Sequence, residues 1–250
     1  MQKNQLLLGG KILSYYKGSL GNKQGVLVFL HGWMQDGKSF EAIFEILEEQ
    51  NIPYVSLDLP GFGGSALRHG DMSVEEYGDI AVEFIEKLGL LNPVLVGHSF
   101  GGRISIYLGS FYKNVEKIVL IGAAGIAPKM NPMRLLVVKI GKGIFSLPGL
   151  SGVGKNIKKS VSASDYTGAG KMTQIYRNTI SNDLQHYMQN ITIPTLMVWG
   201  KEDDQVTVEE AKIMHKHMIN SDLHVLEGTH FIHQEKAQQV CSMILDFIKK

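Results

Sequence analysis

Eight short apolar runs, separated by longer stretches of helical pattern, constrain this chain more than any other feature. The runs fall at residues 5–8, 11–16, 26–30, 54–59, 94–96, 118–121, 195–199 and 223–226. The inner ones, such as "VLVFL" and "IVLI", are near-continuous branched and apolar residues, the pattern of strands covered on both faces. Parallel strands need long right-handed crossovers, and the intervening helical stretches supply them. The expected fold is therefore α/β: a doubly wound, mostly parallel eight-stranded sheet. The first two runs, "LLLGGKILSYY", read as an antiparallel hairpin at one edge.

Helix ends are legible at several points. Ser73 and Glu76 form an S-x-x-E capping box, and Gly89 closes the helix they start. Thr207 and Glu210 repeat the box for a stretch running to Met218. A last helix is expected over 234–248, with Val240, Ile244, Leu245 and Ile248 at spacings of three to four.

One segment breaks the alternation. Residues 125–191 lie between two strands and are too long for an ordinary connection of about 2–6 residues. They carry helical patterns of their own, so the chain divides into a core of 1–124 and 192–250 and an inserted helical cap of 125–191. Between 129 and 159 the insertion holds seven basic residues and no Asp or Glu. One reading is that these cations recruit an anionic substrate or associate weakly with an acidic membrane surface. In that reading Leu135, Val138 and Phe145, with Leu136 and Ile140, line an apolar pocket. The plainer reading is a lid whose apolar face packs over the core with its lysines in solvent. Tyr176, with Tyr166 and Arg177, is a candidate for the pocket wall.

Charge and cysteine usage exclude some functions. A formal net charge of +1 gives no reason to expect a nucleic-acid partner. The single cysteine, Cys241, has no internal disulfide partner and lies in an apolar helical stretch, which suits a buried residue in a reducing compartment. The N-terminal "QLLLGG" is too short for a signal-peptide core, and no apolar run approaches the ~20 residues that span a bilayer. A cytoplasmic protein, monomeric or homodimeric, is expected. His215 and His217 are two apart on a helix and do not share a face, so no metal site is expected there; no cofactor is expected either.

The chemistry centres on "LVGHSFGGRI". Gly97-His98-Ser99-Phe100-Gly101 fits the G-x-S-x-G turn, in which a strained strand-to-helix corner lifts a serine hydroxyl above the sheet. A serine becomes a nucleophile only when a base takes its proton and a third group orients that base. The acid is sought after the strand at 195–199, where Glu202, Asp203 and Asp204 follow in "GKEDD"; Asp203 is the favoured member. The base is sought after the last strand, in "LEGTHFIHQE", where His230 is favoured over His233. An oxyanion site would take the N–H of Phe100, just after the serine, and that of Trp33 in "FLHGWMQDG". His31, at the root of that loop, reads as a structural hydrogen-bonding residue.

Five motifs occur in one order from about residue 25 to the C-terminus: "HGW", "DLPGFGGS", "GHSFGG", "PTLMVWGKEDD" and "LEGTHFIHQE". Through them the chain resembles the α/β-hydrolase superfamily, in its capped, esterase- and lipase-like branch. The resemblance implies Ser99 as nucleophile, His230 as base, Asp203 as acid, and Trp33 and Phe100 as oxyanion donors. It also implies cleavage of a carboxylic ester of a small to medium apolar molecule, with no cofactor. Two departures stand out. Val206-Thr207 occupies a place where the family often has proline, and Phe231 follows His230 where the carbon–carbon-bond hydrolases commonly carry tryptophan. A serine at the elbow argues against dehalogenase and epoxide hydrolase chemistry, which need a carboxylate there. The remaining alternatives are a cofactor-free haloperoxidase, a carbon–carbon-bond hydrolase, or a ligand receptor that retains the triad.

Overall fold

The computed structural model describes residues 1–127 and 172–250. Its centre is one eight-stranded sheet. The strands are β1 (Gln2–Leu8), β2 (Lys11–Lys17), β3 (Leu27–Leu30), β4 (Tyr54–Leu57), β5 (Val94–His98), β6 (Lys117–Ile121), β7 (Thr195–Gly200) and β8 (Ser221–Leu226). Their spatial order is β1-β2-β4-β3-β5-β6-β7-β8. β1 and β2 form the expected edge hairpin, β2 is antiparallel to β4, and β3 through β8 run parallel. Each of the eight apolar runs becomes a strand.

Among the described residues the helices are α1 (Glu41–Glu49), α2 (Val74–Leu88), α3 (Phe100–Phe111), α4 (Thr173–Ser181), α5 (Gln185–Met188), α6 (Val208–His217), α7 (Ile232–Glu235) and α8 (Ala237–Lys249). A 3₁₀ turn, Gly37–Phe40, leads into α1. Both capping boxes form: Ser73 Oγ accepts from Glu76 N–H at the start of α2, and Thr207 does the same for Glu210 at α6. Gly89 ends α2 with a left-handed φ of 66°.

Alternation along each strand splits the core into two layers. Val28, Leu30, Leu95, Ile118, Leu120, Met197 and Trp199 face the side covered by α2, α3 and α6. Leu27, Phe29, Val96, Val119, Ile121 and Val198 face α1 and α8 on the other. Burial on both faces is the reason these strands carry no polar side of their own.

The C-terminal helix differs from expectation. It is two helices, because Lys236 at φ −128° and ψ 40° leaves the helical region. The preceding Glu235 turns back to accept from the amide and hydroxyl of Thr229, which fastens α7 to the loop after β8. Cys241 is buried in α8, and burial raises its thiol pKa to about 11.

Residues on either side of the undescribed stretch meet. Leu184 N–H donates to Gly125 O at 2.9 Å, and Ala127 N–H to Asp183 Oδ2 at 3.2 Å. The buried Arg103 of α3 donates from Nη1 to Asn182 O at 2.7 Å. Leu184, Met188 and Ile191 then enter the first core layer. Leu135, Val138 and Phe145, with Tyr166 and all seven basic positions, lie outside the described residues.

Candidate active site

β3 and β5 are neighbours, but the chain leaves β3 for β4 on one side and returns to β5 on the other. Such a reversal opens a crevice at the carboxyl ends of the strands. Ser99 sits there, directly after β5, at φ 49° and ψ −108°. A positive φ on a residue bearing a Cβ is strained, and strain of this kind persists only where the surroundings enforce it. Close packing enforces it here. A Cβ at Gly101 would lie 1.9 Å from Leu30 O, and one at Gly97 would lie 2.5 Å from Gly101 O. α3 can therefore approach the ends of β3 and β5 only with glycine at those positions. Gly101 N–H donates to His31 O at 3.0 Å, and Ser99 N–H to Ile121 O at 3.1 Å. The Ser99 side chain makes no capping bond to α3.

The loops after β7 and β8 bring the two other candidate groups together. His230 Nδ1–H donates to Asp203 Oδ2 at 2.8 Å, with both side chains buried. The second oxygen, Oδ1, accepts from Gln205 N–H at 2.9 Å and Val206 N–H at 2.8 Å. Val206 stands where the family often has proline, and it spends on the carboxylate an N–H that proline lacks. Of the three local acids, Asp203 is the one bonded to His230. Asp204 is exposed, and Glu202 accepts from Gly228 N–H at 2.6 Å. A carboxylate only accepts, so a neutral His230 imidazole bonded this way carries its proton on Nδ1 and leaves the Nε2 lone pair free. Gly122, one residue past the partner of Ser99 N–H, lies against the pair: a Cβ there would be 3.2 Å from both Asp203 Oδ2 and His230 Nδ1.

The loop after β3 contributes the rest. Leu59 N–H donates to His31 Nε2 at 2.9 Å, so His31 carries its proton on Nδ1 and donates it to Gly32 O at 2.8 Å. Holding that carbonyl fixes the plane of the peptide joining Gly32 to Trp33, and so the direction of the Trp33 N–H. The amides of Trp33 and Phe100 donate to no group among the described residues. Beneath the loop the buried Asp58 accepts from Gly37 N–H at 2.7 Å and Gly64 N–H at 2.8 Å, tying two loops to one carboxylate. Asp58 opens the motif "DLPGFGGS", but this bracing role was not legible in it.

A model of the alpha/beta hydrolase fold family matches residues 25–149, half of the chain. The chain is an α/β hydrolase. This hydrolase is 27% identical to an uncharacterized hydrolase, YugF, of Bacillus subtilis, with 94% of each chain covered. It is 24% identical to a monoacylglycerol lipase, ABHD6, of Mus musculus over 93% of its own length and 78% of the relative's. A solved bromoperoxidase of Bacillus anthracis superposes at a TM-score of 0.78 and 23% identity, with each chain fully covered. That likeness is one of fold.

An aromatic wall rises beside Ser99 in the hydrolase. The Trp33 ring lies 5.0 Å from Phe62, 5.3 Å from Phe100 and 5.3 Å from Tyr176 of α4. Of the expected wall residues, Tyr176 and Arg177 lie within the described part, and Tyr176 reaches the loop after β3. His233, the rival base, faces elsewhere. It is fully buried at 5.0 Å from Phe40, and neither ring nitrogen has a hydrogen-bond partner. Burial, together with the adjacent His230, lowers its pKa to about 3. Among the described residues no group of three His, Cys, Asp or Glu could hold a metal ion. None of the described helices is long and apolar enough to cross a membrane.

Proposed function

We propose that this hydrolase cleaves a carboxylic ester of a small to medium apolar molecule through an acyl-enzyme on Ser99. The observation that carries the reading is the buried 2.8 Å contact between Asp203 and His230 beside a strained serine at the switch point of the sheet. With its proton held on Nδ1 by Asp203, His230 offers Nε2 to the Ser99 hydroxyl. Oγ attacks the ester carbonyl as Nε2 takes the proton. The tetrahedral oxyanion forms against the unengaged amides of Trp33 and Phe100. His230 then gives the proton to the departing alcohol, and water repeats the two steps on the acyl-enzyme. Each amide is worth on the order of 3 kcal/mol at the transition state. Trp33, Phe62, Phe100 and Tyr176 supply an apolar wall suited to an acyl chain, which the cap of 125–191 would complete.

The test is hydrolysis of p-nitrophenyl esters from acetate to decanoate by the wild type and by Ser99→Ala. Turnover that disappears in the variant is expected, and the chain-length optimum measures the acyl site. Folded wild type that turns over none of the series, or a variant as active as wild type, overturns the ester reading.

A further inference from the structure

Gln35 and His98 take no part in the steps above, yet they join the elements that do. Gly32 N–H donates to Gln35 Oε1 at 2.9 Å. The same oxygen lies 3.0 Å from His98 Nδ1, and His98 Nε2 lies 3.0 Å from the carbonyl oxygen of His230. A continuous path therefore runs from the loop that presents Trp33 N–H, through the residue preceding Ser99, to the backbone of His230. The fit is close: a Cβ at Gly32 would fall 2.6 Å from Gln35 Oε1 and 2.8 Å from His98 Nδ1.

The path is one proton short. His98 is buried, and burial with the neighbouring His233, His230 and His31 holds its pKa well below the usual imidazole range. A neutral imidazole has one N–H, but both of its nitrogens face oxygen acceptors. The His230 carbonyl only accepts and is fixed by its backbone, so the proton belongs on Nε2. Nδ1 then points a lone pair at Gln35, whose terminal amide can turn over. With its oxygen inward, Gln35 holds Gly32 N–H. With its nitrogen inward, it donates to His98 and releases Gly32. It serves one loop at a time.

We propose that His98 and Gln35 are positioning residues: His98 holds the His230 loop through its carbonyl, and the shared Gln35 amide sets the loop that presents Trp33 N–H. The inference rests on the ester reading for its effect on rate, but the hydrogen-bond pattern can be read without turnover.

The experiment combines histidine 15N NMR with p-nitrophenyl butyrate kinetics on the full chain. Wild-type His98 is expected as the neutral Nε2–H tautomer near pH 7. Gln35→Glu, which offers only oxygens to Gly32 N–H and His98 Nδ1, is expected to convert His98 to the imidazolium. Gln35→Ala is expected to lower kcat on the order of tenfold with KM changed less than about threefold, since small misplacement of reacting groups costs rate more than binding. His98→Gln, whose amide nitrogen overlays Nε2, is expected to retain at least about ten times the kcat of His98→Leu. An Nδ1–H tautomer in the wild type, an unchanged His98 in Gln35→Glu, or kcat within about twofold of wild type in Gln35→Ala overturns the proposal. The NMR arms and Gln35→Ala stand even if His98→Leu does not fold. Loss of Ser99-dependent turnover in the wild type itself would instead overturn the ester reading, while the tautomer still reports on the network.

Discussion

Replacing Asp203 by asparagine tests the site through one hydrogen bond. Asp203 Oδ1 accepts two backbone amides, from Gln205 and Val206, while Oδ2 accepts from His230 at 2.8 Å. In Asp203→Asn the two amides anchor the side-chain oxygen at the Oδ1 position, so the new NH₂ faces His230 Nδ1. That NH₂ donates, and His230 must move its proton to Nε2 to receive it. Nε2, the nitrogen that the proposed mechanism turns to Ser99, then has no lone pair. A wrong tautomer in a serine triad lowers kcat about 10⁴-fold. At ~1.36 kcal/mol per factor of ten, this is roughly 5 kcal/mol of transition-state stabilisation. The assay is steady-state hydrolysis of p-nitrophenyl butyrate near pH 7, with thermal unfolding to show that the variant folds. Asp204→Asn, at the adjacent exposed position, is expected to stay within about twofold of wild type, as surface changes usually do. Asp203→Asn within tenfold of wild type, or Asp204→Asn falling alongside it, would refute the reasoning.

Three further outcomes follow from packing and burial. Gly101→Ala places a methyl 1.9 Å from Leu30 O, a backbone atom that no rotamer change can move; a loss of about 3 kcal/mol or more is expected from urea unfolding. Ser73→Ala removes the side-chain half of the capping box of α2 and is expected to lower stability by about 1 kcal/mol, read from the urea midpoint. His233 stays neutral in the folded protein down to about pH 3, whereas it protonates near its ordinary value in the unfolded chain. The unfolded state thus binds the extra proton, and stability declines as pH falls from about 6.5 towards 3, by roughly 1.4 kcal/mol per pH unit for each such histidine. The pKa values of buried His31 and His98 shift in the same direction. His233→Phe is expected to flatten urea midpoints measured between pH 7 and pH 5; an unchanged slope would contradict this account.

Local chemistry made most of the fold legible. Branched apolar runs marked every strand, and Ser73 with Glu76 and Thr207 with Glu210 marked helix starts that need only neighbours in sequence. The helix over 41–49 was not singled out in the sequence, although its Ile43, Phe44 and Leu47 pack in the second core layer. The break at Lys236 was not legible, because it depends on Glu235 reaching back to Thr229 across a turn. The candidate site divides in the same way. Ser99, Asp203 and His230 each follow a strand end within a recognisable motif. The selection of Asp203 over Asp204 needed the direction of a carboxylate. Gln35 carried no signal, since the loop holding it and Gly32 meets His98 only through the parallel pairing of β3 with β5.

The paired ends of the undescribed stretch have an evolutionary consequence. Gly125 and Leu184 are 59 positions apart and share one hydrogen bond of 2.9 Å, with Asp183 clamping Ala127 beside it. The excursion leaves and re-enters the sheet at a single socket. Closing a loop at fixed ends costs only about 0.6 kcal/mol more for each doubling of its length. Segments of very different size and sequence can therefore be exchanged at this socket while the strands, the elbow and the Asp203–His230 pair keep their geometry. On the proposed ester reading, new substrates would be reached by trading the excursion, with Ser99, Asp203 and His230 left in place.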